Sequence, residues 1–170
     1  MRFDLQGEQG MDPVVGMLYG AVKENVNRLK AIVTGMSQEE MDYKGITGES
    51  NSIGQLMKHL AYVDVKWVYR LKGESLPDEL EEKYGPELDQ NNNLPEVKGV
   101  SLESLLTEYD QVFRMFKQVC YELTDRDLMK VVTYEHGKEA TIRWGIWHMA
   151  DHNRYHQAHI NQLRKWYKEK

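Results

Sequence analysis

The sequence predicts an all-α fold: an antiparallel four-helix bundle of the up-down-up-down type, with a long connector between helices two and three. Three observations carry that expectation. Four long segments repeat apolar residues at spacings of three and four. Each is bracketed by residues that favour helix starts and stops. A polar stretch much longer than a bundle turn needs separates the second segment from the third.

The first helix opens at Pro13, whose missing N–H costs nothing in an opening turn, and is expected to run to about Met36. Val15, Leu18, Val22, Val26, Leu29 and Val33 mark its buried face. Ser37 and Glu40 in "SQEEM" stand in capping-box positions. The second helix runs from about Ser52 to Leu71 and stops at Gly73. The third, from Ser101 to about Leu123, carries Leu102, Leu105, Tyr109, Val112, Phe116, Val119 and Leu123, a bundle seam. The fourth starts at the N-cap Thr141, runs to about Tyr167 and spans roughly 40 Å. Within the connector, residues 74–100, "PDELEEKYG" reads as a short helix between Pro77 and Gly85. "VVTYEHGKEAT" reads as a small hairpin turning at His136-Gly137.

Composition bounds the function. The 170 residues suffice for one domain, taken as 1–170, with 41% hydrophobic and 29% charged residues. A net charge of −5 argues against nucleic acid as partner, because that surface needs clustered Lys and Arg. Cys120 is the single cysteine, so no internal disulfide forms, and its place beside the third-helix seam suits an inert core thiol. The N-terminus lacks an apolar signal core, and no run is apolar enough to span a bilayer. The expectation is a cytoplasmic protein with no membrane partner.

The chemistry concentrates in "WHMADHNRYHQAHI", residues 147–160, which holds four of the six histidines. On a helical wheel His156 falls at the centre of the apolar arc and His152 at its border, while His148 and His159 sit on the flank. The i, i+4 spacing of His152 and His156 brings both rings within reach of one ion. Such a pair serves equally well as core packing, and a third ligand decides. His59, at the border of the second helix's apolar face, offers that ligand. Three imidazoles from two helices would leave coordination positions open, as a catalytic site requires. Di-iron chemistry is excluded, because no histidine has a Glu three residues before it, and HExxH is absent.

The segments "NSIGQLMKHLAYVDVKW" and "IWHMADHNRYH" resemble the DinB/YfiT-like superfamily of bacterial four-helix proteins, which is unrelated to the DNA polymerase sharing part of that name. The resemblance covers nearly the whole chain. It implies that His59, His152 and His156 ligate a divalent metal, Zn or Ni, and that His148 matches a fourth histidine that need not bind it. The chain departs from the family after its last ligand. Many members read "HHRGQI" where this sequence reads "YHQAHI", so Tyr155, Gln157, Ala158 and His159 replace the usual residues. Relatives include S-transferases that use low-molecular-weight thiols such as bacillithiol or mycothiol, and a thiol-dependent maleylpyruvate isomerase.

The resulting expectation is a metal-dependent thiol S-transferase acting on a small thiol and an electrophile. Metal-dependent hydrolysis, or a non-catalytic stress-associated protein pinned by its metal, are the alternatives. Asp64, Asp151 and Tyr155 are the candidates for proton handling. Residues 74–100 are a candidate lid. Trp144, Trp147 and Trp166, off the apolar arc, suggest an association surface and a homodimer.

Overall fold

The computed structural model describes residues 4–170. The chain is mostly helical: α1 Pro13–Val33, α2 Gln38–Asp42, α3 Ile53–Lys72, α4 Asp78–Tyr84, α5 Leu102–Glu122 and α6 Ile142–Lys168. One antiparallel hairpin precedes α6, pairing β1 Val131–Thr133 with β2 Glu139–Thr141.

Local chemistry sets most boundaries. Ser52 opens α3 with a complete capping box: its side chain accepts from Gln55 N, and the Gln55 side chain accepts from Ser52 N. Gly73 closes α3 at φ +72°, a left-handed conformation that glycine reaches without strain. Ser101 and Thr141 cap α5 and α6 through their hydroxyls. At α2 only half of the expected box forms: Ser37 accepts from Glu40 N, while the Glu40 carboxylate pairs with Arg164 at 3.4 Å. The hairpin turns where the sequence placed it, with His136 and Gly137 both at positive φ.

Two expectations need correction. α1 stops at Val33 rather than near Met36, because Gly35 turns left-handed and the Met36 N–H donates back to Val33 O. Leu18 is only half-buried, and the buried position belongs to Tyr19, whose ring stacks on Phe113 and Phe116.

The helix directions differ as well. The expected alternation is up-down-up-down; the observed order is up-down-down-up. Gln157 donates to Asn25 O and Arg164 to Ile32 O, so α1 and α6 ascend together. Asp125, just past α5, accepts from the N–H groups of Val14 and Val15 at the start of α1, so these two helices are antiparallel. Across α3 and α6, His59 meets His156 while Trp67 meets Trp144, an antiparallel pairing. α3 and α5 are parallel: Tyr109, early in α5, bonds Asp64, and Val119, late in α5, lines a cavity with Leu71 at the end of α3.

Parallel neighbours demand a crossover, and the stretch between α3 and α5 provides it. It leaves the end of α3, forms α4, and returns to the start of α3, where Gln55 donates to Leu94 O and Pro95 O. Its length is thus a topological requirement. A single core of Val, Leu, Ile, Met and aromatic side chains fills the space among the four long helices.

Candidate metal centre

The site forms where α3 and α6 face one another. His59 Nε2 lies 3.2 Å from His152 Nε2, and His156 Nε2 lies 3.0 Å from the same atom. One ligand atom from each ring falls within 4.8 Å of the other two. The rings meet edge to face, with interplanar angles of 69°, 79° and 89°, so the three nitrogens converge while the ring bodies spread apart. His156 is buried; His59 and His152 are half-buried and open the cluster to solvent.

Electrostatics leaves these nitrogens free to ligate. Burial, which penalises the charged imidazolium, lowers the pKa of His59. Burial, then repulsion from His59 and His148, brings His152 down to about 4. Burial, then repulsion from His152 and His59, brings His156 down to about 3. All three rings are neutral at pH 7. Hydrogen bonds among them cannot satisfy the cluster, because one neutral ring offers its single Nε2 to two neighbours at once.

A cation satisfies all three lone pairs. Ligand nitrogens at 2.0–2.1 Å from an ion stand ~3.0 Å apart on an octahedral face and ~3.4 Å apart in a tetrahedron. The two Nε2 separations of 3.0 and 3.2 Å match that interval. The donor set and its spacing fit a divalent metal. All three Nδ1 atoms are buried without a hydrogen-bond partner, so no carboxylate steers the rings from behind. Packing orients them instead.

The buried face of α6 is wider than the apolar pattern indicated. Ile146, Ala150, Asn153 and Gln157 are buried along with Ile142, Met149, Ile160 and Leu163. α6 packs against both α1 and α3, and the α1 side is partly polar, which an apolar count misses. The true arc is centred near Asn153, so His156 sits toward its edge rather than at its centre.

The remaining sequence candidates scatter. Asp151 is exposed on α6. Tyr155 is 61% exposed, and its ring stands edge-on to His156 at 5.1 Å, nearest of the three to the cluster. Asp64 points into the core toward α5. It accepts from Tyr109 OH at 2.8 Å; Tyr109 OH accepts from Asn153 Nδ2 at 2.6 Å; and Gln157 Nε2 donates to Asn153 Oδ1. Burial pushes the Asp64 carboxyl up to about 7. His148 stacks on Trp144 at 4.8 Å and on His152 at 5.7 Å, outside the set of ligand atoms. His159 is exposed against Tyr155. Cys120 is buried and its thiol is pushed up to about 12, which keeps it protonated and inert.

Sequence reasoning missed Glu87. Its carboxylate pairs with Lys66 at 2.7 Å and opposes the loss of basicity at His59 and His152. Nothing in its local pattern gave a signal, because the path of the crossover brings it there. Lys66 was findable: it lies seven residues after His59, on the same face of α3.

A predominantly helical chain with imidazoles from two helices converging at an open-faced cluster defines a class, the histidine-cluster helical proteins. Residues 21–160 match the DinB superfamily, and the chain belongs to it. It is 47% identical over 167 residues to "Uncharacterized protein YkkA" of Bacillus subtilis (strain 168), covering 98% of this chain and 95% of that protein. Among the described residues no helix is long and apolar enough to cross a membrane.

Proposed function

We propose that the protein is a divalent-metal-dependent S-transferase that joins a low-molecular-weight thiol to an electrophilic small molecule. The convergence of three neutral imidazole nitrogens, with one side of the cluster left open, is the observation that carries this reading. His59, His152 and His156 would hold the metal, Zn or Ni. A divalent ion bound by uncharged ligands acts as a Lewis acid, lowering the pKa of bound water to about 7 or holding a thiol as thiolate.

The chain's own groups shape what can happen there. The lowered basicity of the three rings keeps their lone pairs available at neutral pH. Among the described residues no carboxylate hydrogen-bonds to the cluster, so no built-in general base is poised to activate water. The preference for thiol transfer over hydrolysis rests on the resemblance to thiol S-transferases, because a metal-bound hydroxide needs no further deprotonation either. Tyr155, beside His156 and exposed, would be the candidate for proton transfer at the mouth, with Asp151 on the same helix in solvent. Asp64 belongs to the core network and serves the fold.

Elemental analysis and metal titration, followed by conjugation of a chloronitrobenzene with and without a small thiol, test the proposal. Turnover requires both metal and thiol. Thiol-independent turnover supports the hydrolase reading instead, and a folded, metal-binding protein with neither activity supports the stress-associated one. The same reading takes residues 1–170 as one four-helix-bundle domain, cytoplasmic, and assembled as a homodimer through the exposed indoles of Trp144 and Trp147; Trp166, the third indole expected there, is half-buried against the core instead. A monomeric mass in solution overturns the dimer.

A further inference from the structure

A second feature lies along the same seam. A cavity of about 540 Å³, within the range of small-molecule sites, is lined by Lys66, Arg70, Glu74 and Tyr134 together with residues just after α3 and along β1. Lys66 and Arg70 follow His59 by seven and eleven residues, so all three occupy one stripe of α3. Lys66 is displaced from His59 by roughly 10 Å along the helix axis. On the α6 side, His152 stacks on His148, and Tyr134, which lines the cavity, approaches His148 at 6.0 Å. The cavity therefore lies along the same seam as the histidine cluster, with the His148 ring between them.

Its cations are not equally engaged. Lys66 is paired with Glu87 at 2.7 Å, and Glu74 is taken by Lys72 at 2.9 Å. Arg70 differs. Its side chain is only 16% exposed, and its charge partner Glu135 stands 3.6 Å away, beyond good hydrogen-bond reach. The guanidinium rests over the rings of Trp67 and Tyr134 at 5.1 and 5.2 Å, which fixes its plane. A mostly buried, pre-oriented guanidinium facing a cavity matches a planar two-oxygen anion.

We infer that this cavity is a carboxylate-binding subsite, anchored by Arg70, for an acidic small molecule whose other end reaches the histidine cluster. The inference deepens the S-transferase reading by naming the class of one reactant, the thiol or the electrophile, as a carboxylic acid.

Succinate binding to chelator-treated protein, followed by ligand-observed NMR, tests the subsite without the metal. Wild-type protein binds succinate and not neutral succinamide, and Arg70→Gln weakens succinate by about tenfold or more. Glu135→Gln removes the competing carboxylate and tightens succinate several-fold, which keeps the test decisive should the Arg70 variant misfold. Equal binding of succinate and succinamide, or no change in either variant, overturns the inference. Failure of the metal reading shows separately, as absence of metal uptake with succinate binding intact. In cobalt-loaded protein, the thiolate-to-metal absorption band assigns the source of the acid. Loss of 8-mercaptooctanoate but not 8-mercaptooctanol affinity in Arg70→Gln places the carboxylate on the thiol, the eight-carbon chain being long enough to span from the cluster to Arg70. Unchanged 8-mercaptooctanoate affinity, with succinate competing against an acidic electrophile, places it on the electrophile.

Discussion

Replacing Asp64 by Asn should remove a pH dependence from the stability of the fold. Asp64 is fully inside the protein, one of its oxygens accepts from Tyr109, and the other has no partner. Its carboxyl is raised from an ordinary 3.8 to about 7, chiefly by burial. A folded-state pKa above the unfolded value means that the folded protein holds the proton more tightly. Stability from this group is therefore complete below about pH 4 and is lost as pH rises through about 7. A shift of about three units corresponds to about 4 kcal/mol across that window.

The three depressed histidines act oppositely, costing stability as pH falls below their ordinary 6.5. They are common to both proteins and cancel in the comparison. Urea unfolding of chelator-treated wild type and Asp64→Asn between about pH 4 and pH 8 reads the difference. At low pH the variant should be the less stable by about 1–3 kcal/mol, because an amide N–H replaces the unpartnered oxygen. By pH 8 that deficit should vanish or reverse. Parallel curves, with a constant gap at every pH, would refute the assignment of a neutral buried carboxyl.

Other consequences are as direct. His152→Ala removes the ring whose Nε2 lies between the other two, so metal titration should show affinity falling at least 100-fold while circular dichroism stays helical. Gly145→Ala would drive a Cβ into the Trp67 ring, so thermal unfolding should show a loss of about 2–3 kcal/mol, and an unchanged midpoint would mean that the indole can move aside. Ser52→Ala removes the acceptor for Gln55 N and should cost about 1 kcal/mol in denaturant unfolding. If the crossover acts as a lid, amide exchange across residues 74–100 should slow when metal and thiol are bound, and unchanged exchange there would dismiss the lid.

Much of this architecture was legible in the sequence because its signals are local. The caps at Ser52, Ser101 and Thr141, the stop at Gly73 and the turn at His136-Gly137 each satisfy a backbone need within a few residues. His59, His152 and His156 were legible through their place on helix faces. What stayed hidden depends on the chain's path in space. The direction of α5 follows from where the crossover returns, and no periodicity encodes that. The Asp64–Tyr109–Asn153–Gln157 chain escaped because an apolar count scores Asp64, Asn153 and Gln157 as surface and Tyr109 only as a seam residue. Glu87 and Glu135 act on the site from segments whose own sequence carries no periodic signal.

The parallel run of α3 and α5 has a consequence for how such a protein can diversify. Chain that must travel back along the whole molecule is bound to pass over one flank, and here its passage delivers the Glu87 carboxylate beside Lys66 and close enough to bear on two imidazoles. Insertions, deletions or charge changes in the exposed parts of that strap, away from the core residues Tyr84 and Val97, can retune reactivity and access while the helix contacts of the interior stay as they were. Topology has thus made chemistry adjustable independently of stability.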